Sequence, residues 1–407
     1  MTILRSVTGA SLLVLACTAV AQGQTVRSVT REQARQEAFD HAPRLLMARS
    51  DTAAARAGVF ASRLFPDPTA LISYTQSVPR YHAELSIPLD LPWIRSARTA
   101  AAQSGRTGSE LRLAFARVAA RLDVDTAYTA ALAAREQLAL SRRNTLDADS
   151  LRRIATLRRD TGDASDLDVE LADIYALQQA NLHAADSLSA ESSLLTLQAA
   201  MGLMTSELTI ALADSLRRPA FDSTTPGSGA LLPIAAAEAD VRTAELALRL
   251  QRNSRIVEPT LTAGFETGDP SGSENGLLPM VGIAIPLPLV NRNRGNVALA
   301  EAELQRAQAS LMAVRVESGG AIGRARRALE IALAQLDRDE RLTVAATRVS
   351  AMSLTAYREG AATLASVLEA QRMARDARSQ YVTDLAAAWT ARDVLQLLTE
   401  TVAASVP

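Results

Sequence analysis

The chain is poor in the residues that build most small-molecule and metal chemistry. It has one cysteine, three histidines, 3% aromatics and no lysine in 407 residues. A lone Cys17 excludes an intramolecular disulfide and any cysteine-based metal site. His41, His82 and His183 are far apart in sequence, with no ligand-spaced cluster. Met201 and Met204 are close, but such a pair reads as adaptable core packing before it reads as a copper site. No tight metal site and no cofactor are therefore expected. All 43 basic residues are arginines and the formal net charge is -1, which leaves no basic face for nucleic acid. There is no Gly-rich phosphate loop after a strand, no nucleophile elbow and no legible histidine–carboxylate arrangement, so no enzyme is expected. Beyond residue 21 no apolar run reaches the roughly 20 residues of a spanning helix. A membrane role would have to come from β-strands or a lipid. What is abundant is alanine, and an alanine-rich, aromatic-poor chain suits helices packed closely along their lengths.

The N-terminus points to export. Arg5 precedes an apolar stretch from about Gly9 to Val20, and Ala19-Val20-Ala21 is an A-x-A cleavage site, so residues 1–21 read as a signal peptide. Val14-Leu15-Ala16-Cys17 offers a second cut that would make Cys17 a lipid-attachment site, although Leu15 is unusual before the small residue.

Laid on itself, the chain is duplicated. Ser86-Ile87-Pro88-Leu89-Asp90-Leu91 matches Ala284-Ile285-Pro286-Leu287-Pro288-Leu289, and Gly162-Asp163-Ala164-Ser165 matches Gly360-Ala361-Ala362-Thr363, both at an offset of 198 residues. Pro66-Asp67-Pro68-Thr69 matches Val257-Glu258-Pro259-Thr260 seven residues short of that offset, the difference being a longer loop around Gly268–Ser273. The first repeat spans 22–218, with strands at about 69–76 and 81–91 and a helical hairpin at about 97–201. A linker at 219–229, with Pro219, Pro226, Gly227 and Gly229, leads to the second repeat at 230–407, with strands at about 259–267 and 279–289 and a hairpin at about 296–400.

Each strand alternates apolar residues with small or polar ones. Tyr81, Ala83, Leu85, Ile87 and Leu89 oppose His82, Glu84 and Ser86, while Leu261, Ala263 and Phe265 oppose Thr260, Thr262, Gly264 and Glu266. Val281, Ile283, Ile285 and Leu287 likewise oppose Gly282 and Ala284. Alternation alone fits a four-stranded sheet packed on the helices. A lipid location is the other reading, and it would force oligomerisation because open strand edges are not tolerated in a bilayer. The helices carry coiled-coil-like seams, among them Leu111, Phe115, Val118 and Leu122, and run proline-free for on the order of 90 Å. Gly162 and Gly360 can end one helix in the left-handed conformation, and Ser165 and Thr363 can cap the next.

In this arrangement the chain resembles the TolC-like outer-membrane efflux proteins over nearly all of its mature length. Val29-Thr30-Arg31-Glu32-Gln33-Ala34 followed by His41-Ala42-Pro43-Arg44-Leu45 is similar to the family's opening helix. Leu64-Phe65-Pro66-Asp67-Pro68-Thr69 is similar to its lead into the first strand. Ile285-Pro286-Leu287-Pro288-Leu289-Val290-Asn291-Arg292-Asn293-Arg294-Gly295 resembles the strand exit of the heavy-metal branch, the CzcC/CusC-like proteins. The resemblance implies a mainly α fold with a four-stranded β contribution: duplicated helical hairpins forming a periplasmic α-barrel, and two β-hairpins forming a 12-stranded barrel as a homotrimer. It further implies an outer-membrane location, a periplasmic adaptor and an inner-membrane pump of the resistance-nodulation-division type, with this chain as the passive duct for metal ions or small toxic compounds.

The resemblance also supplies site candidates. Gly162, Ser165, Gly360 and Thr363 match the adaptor-docking tips, though glycine turns explain them equally as ordinary hairpins. Glu369 and Ser366 match the acidic positions that ring the periplasmic gate, Ser366 departing from the acidic pattern. Asp168 matches an acidic position at the first tip, with Asp166 beside it. The plain alternative is a solvated acidic face favoured by a helix N-terminus. Arg158 and Arg159 could pair with these acids and latch the turn. Two other functions share these features: the duct of a type I protein secretion system, and a periplasmic coiled-coil scaffold or adaptor.

Overall fold

A computed structural model describes residues 27–203, 207, 210–220, 229–255, 258–267, 276–288 and 291–402. The signal peptide with Cys17, most of the linker, Met204, the Gly268–Ser273 loop, Val257, Leu289 and Val290 lie outside the described residues. In chain order the elements are β1 (Arg27–Val29), α1 (Arg31–His41), α2 (Pro43–Arg63), β2 (Thr69–Tyr74), β3 (Tyr81–Pro88), α3 (Pro92–Asp160), α4 (Asp166–Ala200), β4 (Ile210–Leu212), α5 (Leu232–Asn253), β5 (Thr260–Thr267), β6 (Leu278–Ala284), α6 (Arg294–Arg358) and α7 (Leu364–Thr399). The order helix, two strands, two long helices occurs twice.

Local chemistry sets most boundaries. Pro43, Pro92 and Pro233 lie in the first turns of α2, α3 and α5, where the missing N–H has no helical partner to lose. Hence α3 starts at Pro92, five residues before the expected 97. Thr30 and Ser165 cap α1 and α4 with reciprocal capping boxes, and Thr363 caps α7. Several strands are shorter than their alternation suggested. β2 stops at Tyr74 instead of residue 76, because the Thr75 hydroxyl turns back toward the Ser77 and Pro79 carbonyls at 2.9 and 3.1 Å. β3 ends at Pro88 and β6 at Ala284, well before 91 and 289, where Pro88, Pro286 and Pro288 cannot donate to a ladder. β5 begins one residue later than expected, at Thr260.

The four strands form one antiparallel sheet in the order β2-β3-β5-β6. Its central seam joins the two repeats, pairing Tyr81 with Thr267 through to Pro88 with Thr260. Below the sheet, α3 and α6 run for about 100 Å each at 1.5 Å per residue. They build two stacked layers: α2, α3, α5 and α6 pack side by side near the sheet, and α4, α3, α7 and α6 toward the far end. Where the layers meet lies a collar. Here β1 and β4 form a parallel pair and, with α1, close over Val124, Tyr128 and Leu132 of α3. No alternation marked those three-residue strands. Among the described residues no helix is long and apolar enough to cross a membrane.

Candidate functional site

The sheet decides between the two readings of its alternation, because its apolar face is bare. Ile72 is 84% exposed and Val281 79%, and Tyr74, Tyr81, Leu85, Phe265 and Ile283 share that face with them. A sheet packed on helices would bury this face and turn the other to water. The strands' main packing partners are instead one another. The opposite face is polar where the strands pair centrally. His82 Nδ1 meets Glu266 Oε1 at 3.0 Å directly across the repeat seam, and the Ser86 hydroxyl donates to Glu84 Oε1 at 3.2 Å. Glu84 stands opposite Gly264, where a Cβ would collide with the Ala83 carbonyl oxygen, so only glycine allows this close pairing. Both outer edges, β2 and β6, carry no neighbour among the described residues. A long apolar sheet with two free edges needs partners.

The other end of the molecule is formed by the two hairpin turns. Gly162 and Gly360 take left-handed backbone, φ 86° and 80°, which ends α3 and α6 and reverses the chain. A shared core of Leu151, Ala155, Ala172, Tyr357, Leu364 and Val367 holds the two tips together. Arg158 crosses between them. Its guanidinium donates to the carbonyls of Tyr357 and Asp163 and lies 4.7 Å over the Tyr357 ring. The expected pairing of Arg158 with tip carboxylates is replaced by these contacts, since the last carbonyls of a helix lack intrahelical donors and attract cations. Arg159 does pair with acids, Asp160 at 2.6 Å and Asp166 at 3.9 Å. Tyr357 is buried, its hydroxyl has no hydrogen-bond partner among the described residues, and burial raises its phenol above the ordinary value. Nothing in the sequence marked Tyr357.

The acidic candidates separate by environment. Asp168 is engaged locally, accepting from the Ser165 backbone N–H and hydroxyl at 3.1 Å each. Asp166 is almost fully exposed. The Ser366 hydroxyl donates to the Thr363 carbonyl at 2.7 Å. Glu369 is exposed on α7 and makes no hydrogen bond or ion pair among the described residues.

An outer membrane efflux protein family model matches residues 232–401, the second repeat. The cobalt-zinc-cadmium resistance protein CzcC of Cupriavidus metallidurans is 26% identical over 336 residues, 80% of this chain and 79% of that protein. A membrane protein from Pseudomonas aeruginosa superposes with a TM-score of 0.77 at 20% identity, over 91% of this chain and 93% of that one. CusC superposes with a TM-score of 0.75 at 16% identity, over 93% and 94%. The chain is thus similar to the outer membrane efflux proteins, by the family model across its second repeat and by CzcC and CusC over most of its length. It is an outer-membrane efflux channel protein, and its helices extend into the periplasm.

In this channel protein the collar holds charges that sequence reasoning missed. Arg35 grips Asp125 with two bonds of 2.7 and 2.9 Å. Arg31 reaches Asp393 at 3.5 Å and Thr129 at 2.9 Å while lying 4.2 Å over the Trp389 ring. The network thus joins α1 to α3 and α7. Burial, then the neighbouring Asp125 charge, raises the Asp393 carboxyl, and burial lowers Arg31. Tyr128 donates to Asp214 at 2.8 Å, and burial with that bond pushes its phenol up to about 12. Periodicity marks which helix face is buried but not which charges meet there. Each histidine has its own partner: His41 the Glu37 carbonyl, His82 Glu266 and His183 Ser141. Among the described residues no group of three or more His, Cys, Asp or Glu could hold a metal.

Proposed function

We propose that three copies of this chain close a single duct for cations or small toxic compounds, fed by a periplasmic adaptor and an inner-membrane pump. The carrying observation is the bare apolar face of a four-stranded sheet with two free edges, set on helices of about 100 Å. Joining β6 of one protomer to β2 of the next removes every edge and gives twelve strands, three sets of four. Eight residues of β3 at about 3.3 Å each give roughly 26 Å of strand, which a tilt of about 40° reduces to roughly 20 Å across the bilayer, the greater part of the apolar band of about 25 Å that outer-membrane barrels present. The same closure covers the flanks of the lower layer. Leu167, Leu171 and Ile174 of α4 and Leu342, Val349 and Met352 of α6 are exposed at helical spacing on its two outer helices. Recovery from the outer-membrane fraction as a trimer that dissociates only on heating supports this reading; a monomer in the soluble periplasm would sink it.

The tip residues fit a gate facing the adaptor. Gly162, Ser165, Gly360 and Thr363 shape two matching turns, and Glu369 would present three carboxylates around the trimer axis, attracting cations while repelling one another. Glu84 and Glu266 would continue a cation-favouring lining through the barrel. CzcC is named for cobalt, zinc and cadmium resistance, and its similarity supports metal cations as the cargo. In planar bilayers Glu369→Gln should relieve block by divalent cations, and Arg158→Ala, by freeing the Tyr357 contact, should raise closed-state conductance several-fold. Conductance and block equal to those of the unmodified channel would remove these residues from the gate.

A further inference from the structure

Two like charges are buried against each other in the wall of the second hairpin. Asp339 of α6 is 9% exposed and Asp384 of α7 is 8% exposed, and their carboxyls hydrogen-bond to each other. Gln380 donates its amide to Asp384 Oδ2 at 2.9 Å. Asp339 Oδ2 is buried and has no hydrogen-bond partner among the described residues. Directly beside the pair, Leu336 and Leu385 pack with Ala388 and Tyr381. Two ionised carboxylates have no donor between them, so this contact requires a proton. We propose that Asp339 holds a proton against Asp384, and that losing it loosens α6 from α7, so that the second hairpin is a pH-sensitive element of the duct wall.

The surroundings offer little compensation for a second negative charge. Arg338 is the other charge felt by Asp339, and it only partly opposes the effect of burial. The Arg218–Asp337 pair at 2.6 Å is already neutral overall. Tyr381 is held up chiefly by burial and then by Glu340, which adds further negative charge nearby. α3, which packs on the same α7, adds no charge to those acting on Asp339. Burial, then the bond to Asp384, raises the Asp339 carboxyl above its ordinary value of 3.8. The stabilising contribution is therefore complete below that unfolded value and is lost as pH rises through the folded value.

The test is hydrogen–deuterium exchange on the assembled, detergent-solubilised protein at pH 5 and pH 8, corrected for the intrinsic chemical rate. Peptides covering 332–342 and 380–390 should lose protection at the higher pH. The loss should be about tenfold for each pH unit by which the folded value exceeds the unfolded one. Asp339→Asn, whose amide stands in for the protonated acid and can donate to Asp384, should keep equal protection at both pH values. Asp384→Asn should do the same and serves if the first variant assembles poorly. Peptides from α3 and α4 at the same height should change little. A uniform change across both hairpins, or an Asn variant that follows the unmodified protein, would overturn the proposal.

Discussion

Val281→Arg is expected to remove the protein from the outer membrane, whereas Met280→Arg, one residue away, should leave it there. In the register of β6, Val281 stands beside Ala263 on the apolar face, and Met280 stands beside Gly264 on the face that carries Glu84. An arginine facing lipid near the middle of a barrel strand costs roughly 2–4 kcal/mol, and a trimer would carry three of them. On the inner face the same side chain meets water and the acidic row. The measurement is the yield of heat-dissociable oligomer in the outer-membrane fraction. Equal loss for both variants would mean that the two faces are not distinguished by lipid, and the duct reading would fail with it. If Met280→Arg assembles, its channel should also pass divalent cations less readily.

The second large effect belongs to the collar. Asp125→Ala should lower stability by about 3–5 kcal/mol, because it takes the two-bond partner from the mostly buried Arg35, which keeps only the exposed Glu32, and leaves Arg31 with Asp393 as its one carboxylate. Two residues away, Asp123 pairs with Arg44 at 2.8 Å, but both side chains are more than half exposed. Asp123→Ala should therefore change stability by less than about 1 kcal/mol. Denaturant or thermal unfolding of the purified protein in one detergent would compare them. Similar losses for both would mean that Asp125 is not holding a desolvated charge pair.

These contrasts show how far periodicity carries. The strand alternation identified which residues share a face, and the observed register keeps those sets together: Leu261, Ala263 and Phe265 on one side, Thr262, Gly264 and Glu266 on the other. Alternation has no sign, however. It cannot say whether the apolar set is buried in a core or left open, and only the exposure of that face among the described residues separated the two. The tips were legible because a left-handed glycine and a capping hydroxyl are local requirements, met by Gly162 with Ser165 and by Gly360 with Thr363. Arg158 was legible as a cation near a turn, but its partners were not: Tyr357 is 199 residues away.

The sequence by itself determined the duplication, the helix and strand types, the turns and the two faces of each strand, because each follows from spacing or from chemistry within a few residues. Tertiary structure alone decided the rest. It joined β3 to β5 across the repeats, drew Arg31, Asp125 and Asp393 into one collar, and set Asp339 against Asp384. The physical reason is common to all three. Pairing energies between groups separated by tens to hundreds of residues depend on burial and on which surfaces meet, and neither is encoded in any local window of the chain.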